Sequence, residues 1–152
     1  DGQALAWAGS GKDPASLDGI VIDNTAANTT GSWNSSSSIS GFILYDYLHD
    51  DNEGKGTKTV AYSTRMPTAG TYEIRLWATA SGNRATNVPV TVQLPSGTQR
   101  LMVNQQKVPA ETGFVSLGMF ACPADETITV PISTAGTDGY VVADAVQFIP
   151  FE

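Results

Sequence analysis

The chain reads as an all-β antiparallel sandwich, jelly-roll-like, of about eight or nine short strands. Three observations predict this class. Apolar and polar residues alternate with a period of two in several short windows. Clusters of Gly, Pro, Asn, Asp and Ser punctuate those windows at close intervals. No window sustains an apolar run at helical spacing.

Taken in order, residues 1–19, with Gly9, Gly11 and Pro14, show no period and read as a lead-in or linker segment. Residues 20–152 form the sandwich module. Its first strand, Ile20–Ile22, stops at Asp23 and Asn24. Residues 28–38 are a turn-rich loop with Trp33 embedded in it, and Phe42–Leu48 is a strand or an irregular loop. A polar turn from His49 to Gly56 precedes a strand at Thr57–Thr64. The turn Pro67–Gly70 opens the clearest strand, Thr71–Ala78. There Tyr72, Ile74, Leu76 and Ala78 share one face, while Thr71, Glu73, Arg75 and Trp77 share the other. After the polar loop Ser81–Asn87 comes Val88–Leu94, then a hairpin turn at Pro95–Thr98 and a strand at Gln99–Gln105. The last strands are Phe114–Phe120, Thr127–Ser133 and Tyr140–Ile149. The alternation assigns Ile74, Leu76, Val90, Val92, Ile128, Val130 and Ile132 to one core between two sheets.

Composition narrows the function classes. The 152 residues suffice for one domain with a real core. A formal net charge of −7 leaves no cationic surplus to neutralise phosphates, so nucleic acid is not an expected partner. The longest apolar runs are too short for a spanning helix, and no membrane partner is expected. Cys122 is the only cysteine and His49 the only histidine, so neither an internal disulfide nor a Cys- or His-rich metal site can form. No Gly-x-Ser-x-Gly elbow accompanies His49. The fifteen acidic residues offer no pair that the sequence singles out for glycoside hydrolysis. An acidic, Ser/Thr/Asn/Gly-rich chain nearly free of cysteine fits secreted bacterial modules.

The polar loops hold the candidate ligand-binding residues. Arg84 has a fork of donors that suits a carboxylate bidentately, with Asn83 and Asn87 beside it for hydroxyls; the competing reading is that Arg84 ties its own loop together. Trp33, Tyr45, Tyr47, Trp77 and Tyr140 are candidate platforms for a pyranose face, each weighed against a place in the core. Trp77 is out of phase with the core side of its strand, which leaves open what covers it. Gln105, beside Gln106 and Asn104, offers an amide to hydroxyls or to loop backbone. Asp144, in phase with Val142, Val146 and Phe148, should point inward and needs donors, a cation or a raised pKa. Backbone amides are the favoured partners, and no cofactor is assigned. A structural Ca²⁺ shared with Asp23, or held by the cluster Asp46–Glu53, is the alternative, although the spacing is not that of an EF-hand.

Seven short motifs in order carry a family resemblance: Val21-Ile-Asp-Asn24, Gly31-Ser-Trp33, Pro67-x-Ala-Gly-Thr-Tyr72, Asn83-Arg-Ala-Thr-Asn87, Val103-Asn-Gln105, Leu117-Gly118 and Val142-Ala-Asp-Ala-Val146. Over roughly residues 20–149 the chain resembles the golvesin C-terminal-like domain, also described as the xanthan-lyase carbohydrate-binding-like domain. The resemblance implies a β-sandwich appended to larger secreted enzymes, some of them polysaccharide-degrading, with a carbohydrate-binding role. The expectation is therefore a non-catalytic module that tethers an appended enzyme to a polysaccharide; an acidic one such as xanthan would need a local cationic patch, for which Arg84, Arg65, Arg100 and Lys107 are the available charges. The alternative is a domain that packs against its parent enzyme or a cell-surface partner and binds no glycan.

Overall fold

A computed structural model describes residues 11–151. Twelve strands run through them: β1 (Ile20–Asp23), β2 (Asn28–Thr30), β3 (Asn34–Ser36), β4 (Tyr47–His49), β5 (Thr59–Arg65), β6 (Gly70–Trp77), β7 (Val88–Leu94), β8 (Gly97–Val103), β9 (Phe114–Cys122), β10 (Thr127–Ser133), β11 (Val142–Ala143) and β12 (Ala145–Pro150). One sheet has the order β1-β12-β6-β9 and the other β2-β5-β10-β7-β8. A small third sheet, β11-β4-β3, joins the first through Asp144, the single residue between β11 and β12. All these pairings are antiparallel.

The core lies between the two large sheets. Ile74, Val90, Val92, Ile128, Val130 and Ile132 are fully buried and Leu76 nearly so, as their alternation requires. Val60, Tyr62, Tyr72, Phe120, Val146 and Phe148 complete the same cluster. Where β6 pairs with β9 the register slips between Ile74 and Arg75, and Gly118 takes a φ of +120° beside the slip. That conformation is open to glycine and costly to other residues, so the bulge is written into the sequence at Leu117-Gly118.

The strand expectations differ from the structure in informative places. β7 and β10 have the expected bounds, and β6 is displaced by one residue. The loop expected over residues 28–38 contains β2 and β3, whose Asn, Thr and Ser residues carry no hydrophobic alternation and are set by pairing with β5 and β4. The strand expected at Tyr140–Ile149 is broken at Asp144, and of the Phe42–Leu48 stretch only Tyr47 and Leu48 are strand, which runs on to His49.

Trp77 is a correction to the platform expectation. Its ring is buried together with Ile43 and Ala145, with Leu17, Val21, Leu44 and Phe114 packed around them. The indole N–H donates to Gln147 Oε1 at 2.9 Å, and the ring centroid lies 5.2 Å from that of Phe114. Strand alternation assumes one wet face. Here chain without any period covers the second face of the sheet, so no face of Trp77 is left for a sugar.

Residues 1–10 of the lead-in lie outside the described residues. From Gly11 onward the segment lies along the sandwich. Gly11 and Lys12 donate to the carbonyls of Leu44 and Phe42 at 3.0 and 2.9 Å, and Gln147 Nε2 donates to Asp18 O at 2.8 Å.

Candidate functional site

The backbone that frames the site is a close approach between residues 83–85 and 139–140. Ala85 N donates to Tyr140 O at 2.8 Å, and Tyr140 N donates to Asn83 O at 2.9 Å. A Cβ at Gly139 would sit 2.8 Å from the carbonyl carbon and oxygen of Arg84 and from Asn83 O, so only glycine permits this contact. Asp50 fixes the segment from the other side. It is fully buried, and its carboxylate accepts from Val141 N at 2.9 Å, Asn52 N at 3.0 Å and Lys55 Nζ at 2.8 Å. Lys55 Nζ also donates to Gly139 O at 2.6 Å, and Lys58 Nζ to Asp50 O at 2.7 Å. These partners supply the donors that a buried carboxylate requires.

Between this frame and the third sheet opens a cleft of about 260 Å³. It is lined by the buried Tyr47 and Arg84 together with Asn83, Ser81, Ser36, Ser38, Ile39, His49, Asp51 and Tyr140. Arg84 is only 5% exposed. Its Nε donates to Thr79 O at 2.9 Å, Nη1 to Asn83 Oδ1 at 2.8 Å and Nη2 to Thr79 Oγ1 at 3.2 Å. It lies 5.5 Å from the centroid of the Tyr47 ring. The Tyr47 hydroxyl accepts from Ile39 N at 3.2 Å and pairs with Ser38 Oγ at 3.3 Å. Burial works to raise the Tyr47 pKa, but hydrogen bonds from Ser36, Ser38, Arg84 and the Ile39 backbone outweigh it and hold the phenol below its ordinary value. His49 meets Tyr140 edge-on at 5.9 Å, and its Nδ1 accepts from Asp51 N at 3.2 Å.

Three of the seven expected ligand residues, Tyr47, Asn83 and Arg84, therefore line one cleft. Arg84 does so in a way that corrects the carboxylate expectation. Three of its five N–H donors are taken by its own loop, and because Nε and Nη2 both go to Thr79 the fork on that edge is closed. Arg65, Arg100 and Lys107 are not among the lining residues.

The other four candidates lie elsewhere. Gln105 is fully buried; its Nε2 donates to Val142 O and its Oε1 accepts from Val142 N, both at 2.8 Å, so it is backbone scaffold. Asn87 bridges loops, donating to Gly136 O at 2.9 Å and accepting from Asp138 N at 3.0 Å. Trp33 packs partly against the main core and donates to Thr30 O at 3.0 Å. Trp77 is buried as described. The acidic stretch Asp46–Glu53 does not converge either. Asp46 accepts from Asn24, Asp50 from Lys55, and Asp51 from Asn34.

Ser36, Ser38 and Ser81 were not singled out from the sequence. Ser36 lies opposite Tyr47 in the β3–β4 register, and that pairing has no sequence signal beyond the run of serines itself.

The match to known proteins agrees with this architecture. The family model for the golvesin C-terminal domain matches residues 20–150. The chain is 36% identical over 137 residues to a xanthan lyase of Bacillus sp. (strain GL1), covering 88% of this chain but 15% of that protein. A solved Paenibacillus xanthan lyase superposes with a TM-score of 0.82 at 38% identity, over 88% of this chain and 13% of that one. A Podospora anserina GH26-CBM35 β-(1,4)-mannanase superposes with a TM-score of 0.65 at 15% identity, over 90% of this chain and 28% of that one, a likeness of fold alone. This chain thus corresponds to a small part of each relative. With its sandwich, its ordered motifs and this match in place, the chain belongs to the golvesin C-terminal domain family.

Proposed function

We propose that this chain is a non-catalytic sugar-binding accessory domain, acting outside the cell, whose cleft takes one ring or a chain end of a polysaccharide. The observation that carries the reading is the cleft itself, where Ser36, Ser38, Ser81, Asn83, His49 and Tyr140 present hydroxyl, amide and ring groups around one small cavity. Its volume of about 260 Å³ lies below the range that encloses a drug-sized ligand, which favours a single ring. The groups recognised are hydroxyls, since the Arg84 fork is occupied. Asp51 is the one carboxylate in the lining, whereas hydrolysis by paired carboxyl groups needs two. Xanthan is the first polysaccharide to test, because both relatives of high identity are xanthan lyases. Joined in cis to an enzyme, such a module raises local substrate concentration even at modest affinity.

A second reading is favoured by one specific feature. Met119 and Phe151 stand 46% and 65% exposed beside Ile149 and Pro150, an apolar surface suited to packing against a neighbouring domain. Affinity gel electrophoresis separates the two. Wild type should be retarded by xanthan, and Ser81→Trp, which fills the cleft, should migrate freely with an unchanged melting temperature. Equal retardation of both proteins would remove the cleft from the account, and no retardation by xanthan or a neutral glucan would favour the packing role.

A further inference from the structure

Four buried polar atoms lack a hydrogen-bond partner, and they belong to Asp23, Asn24, Tyr62 and Asp144. The topology brings these residues to one place. Asp23 pairs with Ala145 in the β1–β12 register, so Asp144 is the next residue along from that pair. Tyr62 enters from β5 in the opposite sheet, and its phenol is under the influence of both carboxylates.

Each of the three acceptor side chains is anchored by one atom and open at the other. Asp144 Oδ2 accepts from Ile43 N at 2.9 Å, leaving Oδ1 unpartnered. Asp23 Oδ2 accepts from Thr25 N at 3.0 Å, leaving its Oδ1. Asn24 Nδ2 donates to Asp46 Oδ1 at 3.0 Å, which turns the amide oxygen away from that bond and leaves it without a donor. Asp144 is fully buried, and Asp23 and Asn24 are each 7% exposed. Three buried oxygens without a donor, two of them on carboxylates near enough for Asp23 to act on Asp144, are a cost that folded proteins rarely leave unmet.

We propose that Asp23, Asn24 and Asp144 bind one Ca²⁺ between the β1–β12 pair and the chain leading into β4. The proposal is independent of the sugar-binding reading. Among the described residues no three His, Cys, Asp or Glu side chains are grouped to hold a metal, so the site offers two carboxylates and an amide oxygen, with Asp46 orienting the amide. Two carboxylates balance a divalent charge. Hard oxygen donors of mixed kind suit Ca²⁺, which accepts irregular shells of about six to eight oxygens. Mg²⁺ demands near-octahedral geometry and retains water, and Zn²⁺ favours nitrogen and sulfur, which this place lacks. Lys12, whose charge also reaches Asp144, is exposed and holds its ammonium 5.8 Å from the Trp77 ring centroid, so it does not substitute for the ion. Burial pushes both Asp23 and Asp144 above the ordinary carboxylate range, with repulsion from Asp46 adding to it at Asp23 and from Asp23 and Asp46 at Asp144, a penalty that a bound cation reverses.

The test uses the full chain stripped with a chelator, titrated calorimetrically with CaCl₂ and melted with and without it. One Ca²⁺ should bind per chain and raise the melting temperature, with MgCl₂ at equal concentration giving a much smaller rise. Asp144→Asn and Asp23→Asn keep the side-chain shape and should weaken Ca²⁺ binding by roughly tenfold or more. Should either variant fail to fold, the wild-type titration still decides. Stripped wild type that shows neither heat nor a thermal shift with CaCl₂ would overturn the proposal. So would an Asp144→Asn protein that binds Ca²⁺ as wild type does. A stripped wild type that gains stability on acidification but none from CaCl₂ would mean that a proton, not a cation, satisfies the carboxylates, which also overturns it.

Discussion

The Arg84 guanidinium donates to Thr79 and Asn83 and lies against Tyr47, so its truncation strands a carbonyl, a hydroxyl and an amide oxygen in a nearly closed place. Arg84→Ala should therefore cost about 1–3 kcal/mol of stability, read by urea unfolding, and Arg84→Lys should recover little because a point charge cannot replace three directed donors. An Arg84→Ala protein as stable as wild type would show that the loop holds itself. Arg84 was legible in the sequence as a candidate, an Arg flanked by amides between two strands, and the structure shows it lining a cleft. What it does there was not, because its partners Thr79 and Tyr47 are fixed by the loop and by the third sheet. Gln105 was ambiguous for a similar reason: its amide satisfies Val142, 37 residues away. Asp144 was legible in direction through its phase with Val142 and Val146, and it is fully buried. Both Asp23 and Asp144 have pKa values raised above those of an unfolded chain, so the folded protein binds the extra protons. In chelator, their contribution to stability should be greatest at low pH and should fall as pH rises above about 4. Saturating Ca²⁺ should flatten or reverse that slope, as unfolding curves across a pH series would show.

At the scale of elements, strands whose two faces differ were legible and strands held only by pairing were not. β6, β7 and β10 alternate cleanly, and their inward residues make up the centre of the core. Ile74→Ala or Ile132→Ala should cost about 2–5 kcal/mol, measured by denaturant unfolding, since each opens a cavity with no solvent access. β2 and β3 are three residues each, polar throughout, and exist because β5 and β4 present free edges. The second covered face of the β1-β12-β6-β9 sheet was equally hidden, because residues without a period cover it and make Trp77 internal. The element that positions the cleft is the contact of residues 139–140 with 83–85, closed by Gly139. Gly139→Ala should force these segments apart, lowering the melting temperature and removing glycan retention together. A variant that loses neither would mean that the two segments have room to spare.

For the whole molecule, the fold and family followed from seven motifs in order, because turns and bulges such as Leu117-Gly118 demand particular residues while strand interiors do not. The candidate surface was less legible, since a cleft assembled from β3, β4, the Ser81–Arg84 loop and Tyr140 is a product of topology. The tethering role proposed above rests on the cleft's polar lining, its small volume and the likeness of this chain to about 15% of a xanthan lyase. The central claim is that this cleft is where sugar binds, and residue-resolved NMR titration of the labelled chain with xanthan oligosaccharides addresses it most directly. The account predicts saturable shifts at Ser36, Ser38, Ser81, Asn83 and Tyr140, with the Met119–Phe151 face unmoved. Shifts confined to the Met119–Phe151 face, or none at saturating oligosaccharide, would contradict it.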